Sequence, residues 1–268
     1  MSARPLAVVT GATAGIGLEF ARQLAARQHD LVLVARDADR LAGTCDALQR
    51  EHGVAATPLA ADLSTAAGLA SVLDHLRARS CEVLVHNAGF GTRGLLHQAD
   101  GEAQAAMVAL HVTATDALVR AVLPGMRQCG RGHLVVVSSV ASFTSSAGNV
   151  NYSATKAYQR VYMESLSLEL AASGVTAQAL CPGFTRTEFH DRARMNMSGI
   201  PPWLWLPASR VVQESLACMA RGHPVVVVPG RRWRVITFLL RHVPHSLLRR
   251  GAKRYAGTRV ERPGSGGR

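Results

Sequence analysis

Tyr152 and Lys156 stand four residues apart in the run Tyr152-Ser153-Ala154-Thr155-Lys156, and Ser139 lies thirteen residues upstream of the tyrosine. Four residues is about one helical turn, so phenol and ammonium project from one helix face and reach a common ligand. A tyrosine alone is a poor acid or base, because its ordinary pKa is about 10. A neighbouring cation favours the phenolate and moves the group towards working pH, where general acid–base catalysis is efficient. Lys156 supplies that cation, and the pattern is that of a proton-transfer site. Ser139 taken alone, in Ser138-Ser139 after an apolar stretch, reads equally as a turn residue.

A second constellation sits at the N-terminus. Leu6-Ala7-Val8-Val9-Thr10 reads as a buried strand running into Gly11-Ala12-Thr13-Ala14-Gly15-Ile16-Gly17, and a helical pattern of Leu18, Ala21, Leu24 and Ala25 follows at once. The glycines therefore occupy a strand-to-helix turn, where backbone amides and the helix dipole hold a pyrophosphate. A side chain there keeps phosphates from the amides or pushes the helix off the sheet. The spacing is Gly-x-x-x-Gly-x-Gly rather than the commoner Gly-x-Gly-x-x-Gly, and a purely structural turn is the competing reading.

The elements that position these residues alternate along the chain. Strands are expected at Leu31–Ala35, Val54–Ala60, Val83–His86, Leu134–Val137, Val175–Leu180 and Val225–Val228. Helices are expected at Asp39–Arg50, Thr65–Arg79, Gly101–Met126, Ser153–Ala172 and Arg210–Ala220. Strands that are apolar throughout, separated by helix-length segments, imply a parallel sheet covered on both faces, with ligands at the strands' carboxyl ends. The candidate residues fall there: the glycine turn after the first strand, Arg36 after the second, Asp62 after the third, Asn87 after the fourth, Ser139 after the fifth, Pro182 and Gly183 after the sixth.

The 268 residues suit one large α/β domain, and nearly half of them are apolar, with no run expected to approach the length of a membrane span. No secretory leader is visible, and the five cysteines are scattered singly without metal-like pairing, so a cytoplasmic location and no metal are expected. The net charge of +12 is uneven: residues 231–268 hold eleven arginines and lysines against Glu261 alone. We therefore divide the chain into a catalytic domain over 1–230 and a basic C-terminal tail over 231–268. Such a tail is either simply solvated or a contact for an anionic surface. Trp233, Val235, Ile236, Phe238, Leu239 and Leu240 suggest an amphipathic helix in peripheral membrane contact. No nucleic-acid recognition motif accompanies the charge, so no nucleic-acid partner is expected.

Taken together, Thr10-Gly11-x-x-x-Gly15-x-Gly17, Asp62, Asn87-Ala88-Gly89, Ser139, Tyr152-x-x-x-Lys156 and Pro182-Gly183-x-x-x-Thr187 resemble the short-chain dehydrogenase/reductase family over residues 5–230. More weakly, the Tyr152–Tyr158 run is similar to the branch of ketoacyl reductases and hydroxysteroid dehydrogenases. The resemblance implies a Rossmann-type, doubly wound parallel sheet of about seven strands in a single domain. It implies that Tyr152 exchanges a proton with the carbonyl or hydroxyl oxygen and that Ser139 hydrogen-bonds the same oxygen. Lys156 would hold the nicotinamide ribose hydroxyls and lower the tyrosine pKa. Thr13 and Ile16 belong to the phosphate turn, Asp62 and Leu63 to the adenine end, and Asn87, Ala88 and Gly89 to the pocket. Pro182, Gly183, Thr185 and Thr187 follow the sixth strand, with Thr187 at the carboxamide. Asp62 has a second reading as a helix cap, Asn87 as a turn, and a dimer or tetramer is implied.

One position departs from the family pattern. Where an asparagine commonly helps to place a water linked to the lysine, this chain carries His111, whose neutral imidazole both donates and accepts. A merely satisfied, buried histidine is the other reading. At the end of the second strand Ala35 stands in place of an acidic residue and Arg36 follows, which favours a ribose 2′-phosphate and so NADP over NAD, against the presence of Asp37. Residues 188–209, with Met195, Met197, Trp203, Trp205 and Leu206, are expected to roof the nicotinamide with an apolar lining. The leading expectation is reduction of a hydrophobic ketone, 3-oxoacyl thioester or steroid. The rivals are oxidation of a secondary alcohol and a dinucleotide-binding regulator without turnover.

Overall fold

The structure, a computed structural model, describes residues 4–77, 79–92, 94–189, 199–244, 246 and 247. Strands β1 (Leu6–Thr10), β2 (Asp30–Ala35), β3 (Ala56–Ala60), β4 (Val83–His86), β5 (Gly132–Val137) and β6 (Val175–Leu180) belong to one sheet. β7 (Thr185–Arg186) and β8 (Leu206–Pro207) pair with each other, and β9 (Val226–Val227) closes the main sheet. All pairings are parallel, in the order β3-β2-β1-β4-β5-β6-β9. Seven strands, doubly wound, are what the alternation of apolar strands and helices predicts.

Helices α1 (Gly15–Ala25), α2 (Ala38–His52), α3 (Ala66–Arg77), α4 (Gly101–Val108), α5 (Ala114–Gln128), α6 (Val150–Glu169), α7 (Ala208–Arg221) and α8 (Arg231–Arg241) surround the sheet. Side chains alternate along each strand between two cores. Ala7, Val9, Leu31, Leu33, Val83 and Val85 face one, with Phe20, Leu24 and Val211; Val8, Val32, Leu84, Leu134 and Val136 face the other, with Leu118 and Met163. Strands with water on neither face have no polar positions to show, hence their uninterrupted apolar runs. The register puts Thr10 beside both Val34 and His86, so the ends of β1, β2 and β4 open on one crevice, where the strand order reverses.

Three features depart from the sequence reading. The helix expected over 101–126 is interrupted by a five-residue π-helical turn at Ala109–Thr113, between α4 and α5. The run Gly101–Gln128 also proves long and apolar enough to cross a membrane by length and composition alone. Burial of Leu118, Val119, Val122 and Met126 against the sheet accounts for that apolarity. Finally, the basic segment after residue 230 begins with α8, whose Trp233 is buried in the core. Its Nε1 donates to Leu204 O at 2.9 Å, and its ring meets Phe184 edge-on at 5.4 Å. One face of this helix thus docks on the protein itself, while Val235, Phe238 and Leu239 stay exposed. Residues 248–268 lie outside the described residues.

Candidate active site

The glycine turn leaves β1 with Gly11 at φ +66° and enters α1 with Gly15 at φ +55°, a region that glycine adopts without strain. At Gly17 a Cβ would stand 2.2 Å from Gly11 O, so only glycine lets the helix approach the strand end. The N-cap of α1 is Ala14, which offers no side-chain acceptor, and no acidic residue stands in the first turn. Among the described residues, the first-turn amides of this 11-residue helix therefore have no capping or acidic partner, which fits an anionic phosphate group. Thr13 is buried within the turn and Ile16 packs on the core behind it.

Asn87 clamps this turn. Its Nδ2 donates to Thr10 O at 3.1 Å and Gly11 O at 3.2 Å, while the backbone amides of Asn87 and Ala88 donate to Thr10 Oγ1 at 3.0 and 2.9 Å. Thr10 Oγ1 lies 3.0 Å from His86 Nδ1, and His86 Nε2 lies 3.2 Å from Leu110 O at the π-helical turn. A carbonyl only accepts, so Nε2 carries the proton and Nδ1 accepts from the threonine hydroxyl. His86 thus joins the glycine turn to the segment that carries His111. It was not singled out from the sequence, although a histidine ending an otherwise apolar strand was the available signal.

Ser139, Tyr152 and Lys156 come together. Ser139 Oγ accepts from Ala141 N at 3.1 Å, capping a short 3-10 turn at Val140–Phe143, which leaves its proton for the Tyr152 oxygen. The turn reading of Ser139 and its meeting with Tyr152 therefore hold at the same time. The Lys156 ammonium lies 5.9 Å from the centre of the Tyr152 ring and donates to Val137 O at 2.8 Å and to Gln159 Oε1 at 2.9 Å. His111 is fully buried beside them, its ring 6.1 Å from that of Tyr152. Gly89 is the floor: a Cβ there would stand 2.8 Å from His111 Nε2 and 3.5 Å from Lys156 Nζ.

The electrostatics differ from the simple expectation that the lysine lowers the tyrosine pKa. Burial pushes the Tyr152 phenol above its ordinary value, with the Ser139 hydrogen bond pulling the other way. Burial likewise pushes Lys156 down to about 7, so near neutrality its cation is only partly present. Desolvation is the largest cause of both shifts in the protein by itself. His111 is held well below the ordinary imidazole value by burial and by the neighbouring Lys156, and is neutral.

At the adenine end, Arg36 is exposed and its Nη1 lies 3.9 Å from Asp62 Oδ2. Asp37, beside it, turns back to cap α2, accepting from Arg40 N at 3.0 Å. Asp62 Oδ1 accepts from Ser64 N and Ser64 Oγ at 2.9 and 2.6 Å, and Thr65, whose Oγ1 accepts from Gly68 N, caps α3 in its place. Leu63 is buried. After β6, Pro182 O accepts from Val140 N at 3.0 Å, and Gly183 lies under the Trp233 ring. Thr185 Oγ1 donates to Gly183 O at 3.1 Å. Thr187 rests against Gly15, where a Cβ would approach its Cγ2 to 2.8 Å. Of the segment expected to roof the site, Phe189 meets Tyr152, with ring centres 6.2 Å apart. Trp203, Trp205 and Leu206 line a groove of about 390 Å³ with Arg231–Trp233, and Met195 and Met197 lie outside the described residues.

A family model described as short chain dehydrogenase matches residues 5–198. The chain belongs to the short-chain dehydrogenase family. Among members of that family, the short-chain dehydrogenase from Sphingobium yanoikuyae, solved in complex with NADPH, is 33% identical and superposes with a TM-score of 0.80 over 98% of this chain and 99% of that one. The bulky-bulky ketone specific alcohol dehydrogenase from Comamonas testosteroni is 29% identical, with a TM-score of 0.76 over 99% and 98%. The 3-oxoacyl-(acyl-carrier-protein) reductase FabG of Escherichia coli (strain K12) is 31% identical over 185 residues, 68% of this chain and 74% of the relative. This short-chain dehydrogenase is accordingly an oxidoreductase of the reductase and dehydrogenase kind that these relatives represent.

Proposed function

We propose that the protein is an NADP-dependent reductase of a hydrophobic carbonyl, a ketone, a 3-oxoacyl thioester or a steroid, with Tyr152 as general acid. The observation that carries this reading is the meeting of Ser139, Tyr152 and Lys156 beside an uncapped glycine turn. Bound NADPH would supply the hydride. The first-turn amides of α1 would hold its pyrophosphate, Arg36 the 2′-phosphate, Asp62 and Leu63 the adenine end, Lys156 the ribose hydroxyls and Thr187 the carboxamide. The residues fit that group: Ala14 leaves the helix N-terminus open, Arg36 is an exposed cation at the end of β2, and one oxygen of Asp37 is engaged in capping α2.

Tyr152 then does the proton chemistry. A phenol kept protonated by burial is a donor in its resting form, which suits reduction. As negative charge grows on the carbonyl oxygen, the Tyr152 proton moves to it, and the Ser139 hydroxyl hydrogen-bonds the same oxygen. Phe189, Phe90 and the Cα of Gly91 surround Tyr152 and His111 with apolar surface, in keeping with an apolar substrate and with exclusion of water. His111 would serve as a lone-pair acceptor at the lysine end. The bulky-ketone and oxoacyl activities named for the relatives support the substrate class. A dimer or tetramer is part of the same reading, supported by the exposed Val161 and Leu168 on α6.

The test is oxidation of NADPH, followed by absorbance, with bulky ketones, β-keto thioesters and steroids. Tyr152→Phe should bind NADPH as the parent does and lose turnover by roughly a thousandfold or more. Retention of turnover by that variant would end the assignment of Tyr152.

A further inference from the structure

A buried ammonium must find acceptors, and the two that Lys156 has come from different elements: Val137 O at the end of β5 and Gln159 Oε1 one turn along α6. Gln159 is itself fully buried. Its Nε2 donates to His111 O and to Thr115 Oγ1, both at 3.1 Å, and the Thr115 hydroxyl donates to His111 O at 2.7 Å. The amide has one chemically sensible orientation, because a carbonyl can only accept on one side and an ammonium can only donate on the other. All three donor and acceptor sites of the carboxamide used here are therefore satisfied inside the protein, away from solvent.

We propose that Gln159 is a positioning residue: its carboxamide holds the Lys156 ammonium beside the Val137 carbonyl and ties it to the π-helical turn that carries His111. Two of the three ammonium protons are thereby fixed, and the third is left for a ligand in the cleft. The dipole of the Gln159 carbonyl favours the charged lysine against the desolvation that pushes Lys156 down to about 7. The titratable groups facing the ammonium are Tyr152 on α6, His86 at the end of β4, His111 on the π-helical turn and Cys181 after β6. Both imidazoles are neutral near pH 7, and the Cys181 thiol is pushed up to about 11 by burial.

The proposal rests on the reading of this site as the NADPH site, but its test does not. The chain has only two lysines, Lys156 and Lys253, so the titration of Lys156 can be followed directly by NMR of lysine labelled with ¹³C at Cε in the full chain without cofactor. Gln159→Met, of similar length and without a carbonyl, should lower the Lys156 midpoint by about one pH unit, and Gln159→Glu should raise it by at least about one. Turnover with NADPH, where present, should fall roughly tenfold or more at neutral pH in Gln159→Met, with its alkaline limb moved the same way as the midpoint. Opposite midpoint shifts in the two variants support the role. Unchanged midpoints, with only thermal stability reduced, would overturn it in favour of a purely structural glutamine. Should the parent never bind or oxidise NADPH while the midpoints still move, the functional reading fails and the role of Gln159 stands.

Discussion

His111 Nδ1 lies 2.9 Å from Thr155 Oγ1, and the proton between them belongs to the imidazole. The Thr155 hydroxyl donates to Tyr152 O at 3.1 Å, so towards His111 its oxygen accepts, and Nδ1 is the protonated nitrogen. Nε2 is then a bare lone pair, fully buried and without a hydrogen-bond partner among the described residues, next to Gly89 and Lys156. The residue at the place where relatives of this family commonly carry asparagine thus presents an acceptor on the Lys156 side and cannot donate from that atom at neutral pH. An asparagine also offers an acceptor oxygen, on a shorter side chain whose Oδ1 ends about as far out as Nδ1, so that a water would have to span the remaining distance to Lys156. His111→Asn should therefore keep or raise turnover, measured as kcat of NADPH oxidation. A loss beyond about a hundredfold would assign the imidazole a dedicated role that an amide cannot fill.

Arg36 is the cation at the end of β2, and Asp37 is turned away into the cap of α2. Charge-assisted pairing of the guanidinium with a 2′-phosphate is worth about 1.5–3 kcal/mol, or roughly 10- to 150-fold. Arg36→Asp should weaken NADPH binding by that factor and leave or improve NADH binding, read by the fluorescence of the reduced nicotinamide of each cofactor. An unchanged preference, or a parent that binds NAD more tightly than NADP, would remove Arg36 from the site.

Stability should depend on pH in three windows. His86, pushed down to about 4, and His111 are neutral in the folded protein but titrate near 6.5 when unfolded, so stability should climb as pH rises from about 4 to 6.5. Lys156 has a folded value of about 7 against 10.5 for an ordinary lysine, and here the unfolded chain binds the extra proton. Stability should continue to rise from about pH 7 to 9, by up to about 1.4 kcal/mol per pH unit. Above pH 9 the buried thiols of Cys45, Cys81 and Cys181, raised to about 11, 12 and 11, bind protons that the unfolded chain has lost, and oppose the rise. Urea unfolding across pH 4–10 should show this shape, and Lys156→Met should flatten the segment between pH 7 and 9. A parent whose stability falls from pH 7 to 9 would contradict the assignment of Lys156 as the titrating group.

The exposed Val235, Phe238 and Leu239 of α8 are flanked by Arg231, Arg232, Arg234 and Arg241, and the segment from 231 onwards holds most of the net charge. Sedimentation with vesicles of anionic phospholipid at low salt should recover the protein, with binding reduced at 0.5 M salt and by Phe238→Glu. No recovery at low salt ends the idea of peripheral membrane contact.

Which residues could do chemistry was legible in the order of residues alone. Short uninterrupted apolar runs, period-3.6 patterns, glycines at a strand-to-helix turn, and a tyrosine and lysine one turn apart are local signals, and local signals survive without coordinates. They placed Ser139, Tyr152, Lys156, the glycine turn and all seven strands of the sheet. Tertiary structure alone decided what surrounds those residues: His86 bridging Thr10 to the π-helical turn, Gln159 holding Lys156, Thr65 rather than Asp62 capping α3, and Trp233 turning the start of the basic segment into core. The π-helical turn itself has no pattern in the sequence, because it is stabilised by partners such as His86 and Gln159 that reach its carbonyls from other elements. Charge states were likewise beyond the sequence. Burial, a property of the assembled fold and not of spacing, is the largest cause of the shift in both Tyr152 and Lys156.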